Sequence, residues 1–224
     1  MKTNKNFKGK LIVFEGVDGA GKTTLLNALK KELEKHFEVK KVKMPSMKTK
    51  QNKMYKTIEK NINNYKTSDE FLNLNIFILG DKLLLLNSQV LPALVQGKIV
   101  LCDRYAFTNI ARCPNKLTRQ IAKKFVKSHL VVLCDASPQN LKTRVLSRKN
   151  EKHKSYDDEF VLFQKQNFEA LKKQFNFYKL NTDGKVKSTK KQLFEIVWQL
   201  LNKWSFYKII KKWWKNIKKQ AKNT

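Results

Sequence analysis

The stretch LIVFEGVDGAGKTT, residues 11–24, decides the fold. Leu11, Ile12, Val13 and Phe14 form a short apolar, partly β-branched run, the signature of a buried strand. Leu25, Leu26, Leu29 and Leu33 then follow at helical spacing. Between strand and helix lie Gly16, Gly19 and Gly21, three of only seven glycines in 224 residues. GVDGAGKT, residues 16–23, matches G-x-x-x-x-G-K-[ST] in the strand-loop-helix context that this motif requires. Glycines let the backbone curl until successive N–H groups face one anion, and the helix N-terminus adds partial positive charge. Gly16, Gly19, Ala20, Gly21, Lys22, Thr23 and Thr24 are therefore candidate ATP-binding residues. Lys22 is expected at the β- and γ-phosphates and the Thr23 hydroxyl on Mg²⁺. The loop predicts a nucleoside triphosphate without naming a reaction.

Outward from this loop, strands and helices alternate. FEVKKVKM reads as a second strand stopped by Pro45, and residues 49–66 as helix and loop. Residues 68–95 form a strongly apolar helix in which Pro92 predicts a kink or a division. KIVLCDR is the next strand, a helix follows near 117–127, and HLVVLCDA is a further strand, apolar throughout. Ser137 caps a helix with Pro138 at its first position. Residues 147–159 are charged and loop-like, a helix spans about 160–175, and FNFYKLN is the last strand. Thr189 and Gln192 have the spacing of a capping box for a final helix. Several strands are apolar on both faces, which predicts a parallel sheet between helical layers, with ligands at the strand-to-helix turns.

Composition bounds the setting. No apolar run is expected to approach the ~18–20 residues of a membrane span, and the charged N-terminus lacks the apolar core of a signal peptide. Cys102, Cys113 and Cys134 show no metal-ligand spacing, and a reducing, cytoplasmic setting is expected. The net charge is +30. Two readings stand: an anionic partner, or a lysine-rich compositional drift. Arginine occurs only at 104, 112, 119, 144 and 148, whereas lysine is used freely. Arginine positions are therefore the more informative ones, because the planar guanidinium suits phosphate.

FEGVDGAGKTT together with GKIVLCDRY, about 80 residues on, resembles thymidylate kinase and its relatives among the P-loop nucleoside monophosphate kinases. The resemblance runs over roughly residues 9–200. It implies an α/β, three-layer P-loop NTPase fold with a five-stranded parallel sheet flanked by helices and a short lid near 147–159. It implies transfer of the ATP γ-phosphoryl group to a nucleoside monophosphate, dTMP first among the acceptors, with Mg²⁺ as cofactor. Asp18 then holds the acceptor sugar, Asp103 supports the metal with Thr23, and Arg104 grips the acceptor phosphate. Tyr105 and Thr108 line the acceptor site. Arg144 serves the adenine side and Arg148 the lid. Lys22, Asp103, Arg104 and Arg148 form the catalytic set. Family members commonly pair as homodimers through core helices.

The departures lie on the acceptor side. Where the family places a base-stacking aromatic and, four residues on, an arginine, ILGDK places Ile78 and Lys82. Lys82 is expected to contact the acceptor in the arginine's stead. The R-E-P-G segment is replaced by KMPSMKTK, and the S-x-x-A-Y-Q run by a sequence with Thr108, Ala111, Arg112 and Cys113. Alternatives are the same fold acting on another nucleotide or a phosphorylated small molecule, or an ATP-binding protein with decayed kinase activity at a membrane or nucleic acid.

Residues 1–202 are expected to form the kinase-like domain and 203–224 a basic, aromatic amphipathic helix. Trp204, Tyr207, Ile210, Trp214 and Ile217 continue one helical stripe, with lysines mostly opposite. This extension reads as a helix packed on the core, a contact with an anionic membrane, or a contact with nucleic acid or a partner protein.

Overall fold

The computed structural model describes residues 7–60, 68–147, 156–175 and 177–202. The C-terminal extension 203–224 and most of the expected lid, including Arg148, lie outside these described residues.

In chain order the elements are β1 (Lys10–Glu15), α1 (Lys22–Leu33), β2 (Val39–Lys43), α2 (Met47–Gln51), α3 (Lys53–Lys60) and α4 (Asp69–Leu85). A π-turn (Leu86–Val90) leads into α5 (Leu91–Val95), then β3 (Ile99–Asp103), α6 (Ala106–Arg112), α7 (Lys116–Ala122) and β4 (Leu130–Asp135). The chain continues through α8 (Pro138–Leu146), α9 (Asp158–Gln174), β5 (Phe177–Asn181) and α10 (Val186–Leu201).

The strands form one parallel sheet in the order β2-β3-β1-β4-β5. Central β1 is buried along its whole length, as its apolar sequence demands, and pairs with β3 on one side and β4 on the other. Each fully buried Leu, Ile, Val or Phe side chain contributes on the order of 1.5–3 kcal/mol to burial of the sheet. The chain leaves β1 toward β2 but leaves β3 toward β4, in opposite directions. Right-handed crossovers then put the connecting helices on opposite faces, and a crevice opens between the carboxyl ends of β1 and β3. Phe14 is in register with Asp103, so the loop after β1 and the Arg104–Tyr105 turn after β3 emerge side by side.

Four local expectations are refined. Ser137 caps α8, accepting a hydrogen bond from Asn140 N, and Pro138 follows in the first turn, as read. Pro92 lies in the first turn of α5, directly after the π-turn. Lacking an N–H, it cannot continue the preceding hydrogen-bond ladder, which widens upstream of it. The capping-box reading of Thr189 and Gln192 is incorrect: α10 starts at Val186, so Thr189 lies inside the helix, its hydroxyl donating to Lys185 O at 3.3 Å. The fourth concerns 69–95. This 27-residue helical stretch is long and apolar enough to cross a membrane by length and composition, with a mean hydropathy of 1.3 in its most apolar window. The expectation that no apolar run approaches that length is therefore corrected: the few polar residues between Asp69 and Val95 leave the stretch apolar on average. In the fold, Phe71, Leu74, Ile78, Leu79, Leu86 and Val90 are buried, and α4 packs on α3, α6 and α7.

Candidate active site

The β1–α1 loop is shaped by close approach. Gly16 has φ 132°, and a Cβ there would stand 2.2 Å from the carbonyl oxygen of Cys134 on β4. Gly19, with φ 82°, backs onto α8, where a Cβ would meet Leu141 O at 2.7 Å. Gly21 is the left-handed N-cap of α1, and Ala20 is buried beneath the loop. Lys22 opens α1 and is itself buried; its Nζ donates to Val17 O at 2.6 Å. Burial, reinforced by the Arg104 charge, pulls its pKa down to about 8. Thr23 and Thr24, next in the first turn of α1, are exposed.

Two contacts join this loop to the end of β3. Thr23 Oγ1 donates to Asp103 Oδ2 at 2.8 Å. Arg104 Nη2 pairs with Asp18 Oδ1 at 2.5 Å. The Arg104 Nη1 also donates to Gly16 O at 2.9 Å and to Thr108 Oγ1 at 3.2 Å. Arg104 has φ 69°, a left-handed backbone unusual for a residue with a side chain. Its own N–H donates to Phe14 O at 2.9 Å, which fixes the turn.

The group that holds this turn from below is Glu15, to which the sequence reading assigned no role. It is fully buried and accepts hydrogen bonds from Tyr105 N at 2.8 Å, Thr108 N at 3.2 Å and the Thr108 hydroxyl. The first two are N–H groups at the start of α6, which have no partner within the helix. Burial raises the Glu15 pKa, and the nearby Lys82 charge opposes that shift. A carboxylate at the end of an otherwise apolar strand was the signal available in the sequence.

Two acceptor-side expectations are corrected. Lys82 is 1% exposed. Its ammonium donates to Tyr105 O and to Asn109 Oδ1, both at 2.6 Å, and burial lowers its pKa to about 7. Lys82 is thus a buried strut between α4 and α6, not an exposed contact for a base. Tyr105 is likewise in the core: its ring meets Phe125 edge-on at 5.0 Å and its hydroxyl donates to Val126 O at 3.0 Å. The residue after a left-handed Arg104 is turned inward, which takes Tyr105 away from the crevice. Ile78 joins Tyr55, Phe71, Leu74 and Cys113 in a small apolar cluster apart from the main core.

On the opposite flank, Arg144 donates to Gly19 O at 3.4 Å, Thr182 Oγ1 at 3.2 Å and Thr182 O at 2.7 Å. It ties the loop to the segment after β5. Asp183 secures the same corner by accepting from Ser137 N and Asn140 Nδ2, and these bonds lower its pKa.

The donor set is compatible with a hard divalent cation. Thr23 and Asp103 offer oxygens 2.8 Å apart beside the phosphate-binding loop. Among the described residues no cluster of three His, Cys, Asp or Glu side chains could hold a metal alone. That suits Mg²⁺, which takes one or two protein oxygens and completes its shell with water and substrate phosphate.

The family model for thymidylate kinase matches residues 14–193, spanning both halves of this site. The chain belongs to the thymidylate kinase family. It is 35% identical over 145 residues to a probable thymidylate kinase of Archaeoglobus fulgidus, covering 62% of this chain and 70% of that one. It is 32% identical over 137 residues to a probable thymidylate kinase of Staphylothermus marinus, covering 58% and 65%. It is also 32% identical over 117 residues to the thymidylate kinase of Aster yellows witches'-broom phytoplasma, covering 51% and 53%. The chain therefore spans between about half and about 70% of the length of these relatives.

Proposed function

We propose that this protein is a nucleoside monophosphate kinase that transfers the γ-phosphoryl group of ATP to dTMP. The observation that carries the reading is the direct linkage of a phosphate-binding loop to the β3 end through Thr23–Asp103 and Asp18–Arg104. Phosphoryl transfer needs little covalent chemistry from a protein. It needs donor and acceptor held in line and positive charge around the transferring oxygens.

The roles follow from position. The N–H groups of the β1–α1 loop cradle the ATP phosphates and Lys22 moves from Val17 O to the β/γ oxygens. Thr23 and Asp103 would hold Mg²⁺, which when bound would neutralise charge on the phosphates. Arg104 binds the acceptor phosphate through its planar fork. Asp18, 69% exposed at its side chain, takes the sugar hydroxyl of the acceptor. Thr108 orients Arg104. Arg144 anchors the loop by its edge and offers its planar face to the adenine.

The test is ADP release measured over a panel of nucleoside monophosphates, with Lys22→Ala as control. Turnover with dTMP that vanishes in Lys22→Ala is the expected result. Absence of turnover with dTMP overturns the reading, and turnover with a different acceptor replaces it.

A further inference from the structure

A chain of buried polar groups runs from α4 to the turn that carries Arg104. Asn75 and Lys82 on α4, Glu15 at the end of β1, and Thr108 and Asn109 on α6 are all buried. Asn109 Nδ2 donates to Asn75 Oδ1 at 3.1 Å, and Asn109 Oδ1 accepts from the Lys82 ammonium at 2.6 Å. Lys82 also donates to Tyr105 O at 2.6 Å, while Tyr105 N donates to Glu15 Oε1 at 2.8 Å. Two opposite charges thus grip one residue, each by one of its backbone groups. Burying a pair of charges is costly, and apolar side chains of similar size often fill such a space without loss of stability. Stability alone is a weak reason for placing Glu15 and Lys82 here.

Glu15 passes this arrangement on to the reacting side. Its Oε2 accepts from the Thr108 hydroxyl. A hydroxyl has one proton and two lone pairs. With the proton spent on Glu15, Thr108 Oγ1 faces Arg104 only as an acceptor, and it accepts from Arg104 Nη1 at 3.2 Å. Arg104 has two other anchors, Gly16 O at 2.9 Å and the Asp18 carboxylate. The Asp18 side chain is 69% exposed and, in the role proposed above, turns to the acceptor sugar. Thr108 is then the side-chain anchor that remains. The Lys82 charge supports the Glu15 carboxylate against its burial. The direction of the Thr108 proton therefore depends on a lysine one step removed from the reacting groups.

We propose that Lys82 is a positioning residue for phosphoryl transfer: through Tyr105, Glu15 and Thr108 it sets the direction of the Arg104 guanidinium toward the acceptor phosphate. This rests on the dTMP kinase reading and goes beyond it, since Lys82, 1% exposed, acts without touching a substrate. A lysine suits the task. Its tetrahedral ammonium aims separate donors at Tyr105 O and Asn109 Oδ1, whereas the planar fork of an arginine cannot turn its donors independently.

The test is steady-state ADP release by the full chain with dTMP and ATP varied separately, beside thermal unfolding. The variants are Lys82→Met, Thr108→Val, the two combined, and Glu15→Gln/Lys82→Met. Lys82→Met and Thr108→Val should each lower kcat/KM for dTMP by about 10- to 100-fold, with the KM for ATP within about twofold of wild type. Combined, they should be within about threefold of the worse single variant, because both act through one relay. Lys82→Met leaves the Glu15 charge buried without compensation and should lower the unfolding temperature. Glu15→Gln/Lys82→Met removes both charges and should unfold nearer the wild type, yet keep the dTMP defect, because an amide no longer fixes the Thr108 proton. That variant carries the test where the single one does not fold. If the dTMP defect is absent, falls equally on ATP, adds to that of Thr108→Val, or vanishes in Glu15→Gln/Lys82→Met, Lys82 serves only the fold and the inference fails, while the dTMP reading survives. If the wild type does not turn over dTMP, the reading itself fails and the inference with it.

Discussion

The Thr23 hydroxyl and the Asp103 carboxylate meet at 2.8 Å across 80 residues of sequence, joining the first turn of α1 to the end of β3. One residue belongs to the phosphate loop and the other to the strand that carries Arg104. If both act through one Mg²⁺, their substitutions are not additive. Thr23→Val and Asp103→Asn are each expected to lower kcat by about 10²- to 10³-fold. The double variant should be little worse than either single one. A double-mutant cycle with Mg²⁺ titration measures this, and additive losses would show that the two side chains work separately.

Gly16 and Gly80 make opposite predictions from the same substitution. Gly16→Ala drives a Cβ into Cys134 O at φ 132° and should destabilise the fold by about 2–4 kcal/mol. Gly80 lies within α4 with nothing within 4 Å of its would-be Cβ. Gly80→Ala should stabilise by about 0.5–1 kcal/mol. Urea unfolding of the two variants beside the wild type reads both signs.

Tyr105→Phe separates a core role from an acceptor role. The variant loses the hydroxyl bond to Val126 O and should unfold more easily by about 1–2 kcal/mol. Its KM for dTMP should remain within about twofold of wild type. A selective rise in that KM would restore Tyr105 to the acceptor site.

His129 gives a pH dependence with a definite sign. Its Nδ1 accepts a hydrogen bond from Leu11 N at 3.0 Å, which requires that nitrogen to be unprotonated. Burial, helped by the Lys10 charge, lowers its pKa from 6.5 to about 4. Between these values the unfolded chain binds the proton and the folded chain does not. Stability from this group is therefore full above pH 6.5 and is lost as pH falls toward 4. Allowing for screening at a half-buried ring, the loss is about 1–2 kcal/mol. Chemical denaturation at pH 7.5, 5.5 and 4.5 should show this slope in the wild type and a flatter one in His129→Leu.

By itself the sequence determined the phosphate loop and the alternation of strands and helices, through local signals: apolar period, glycine placement and residue types at short spacing. The grouping of Lys22 and Thr23 with Asp103 and Arg104, some 80 residues apart, was implied by the family resemblance. The β1 sequence needs only its own apolar character to be read as a buried strand. Tertiary structure alone decided where the acceptor-side residues point. Lys82 and Tyr105 stood at motif positions, yet both are drawn into the interior by partners on other elements, Asn109 and Val126. Glu15 gained its role only when β1 and β3 were paired in register and α6 began above it. The physical reason is common to all three. Whether a charged or polar side chain serves a ligand or the fold depends on which partners satisfy it after burial, and those partners lie far away in sequence.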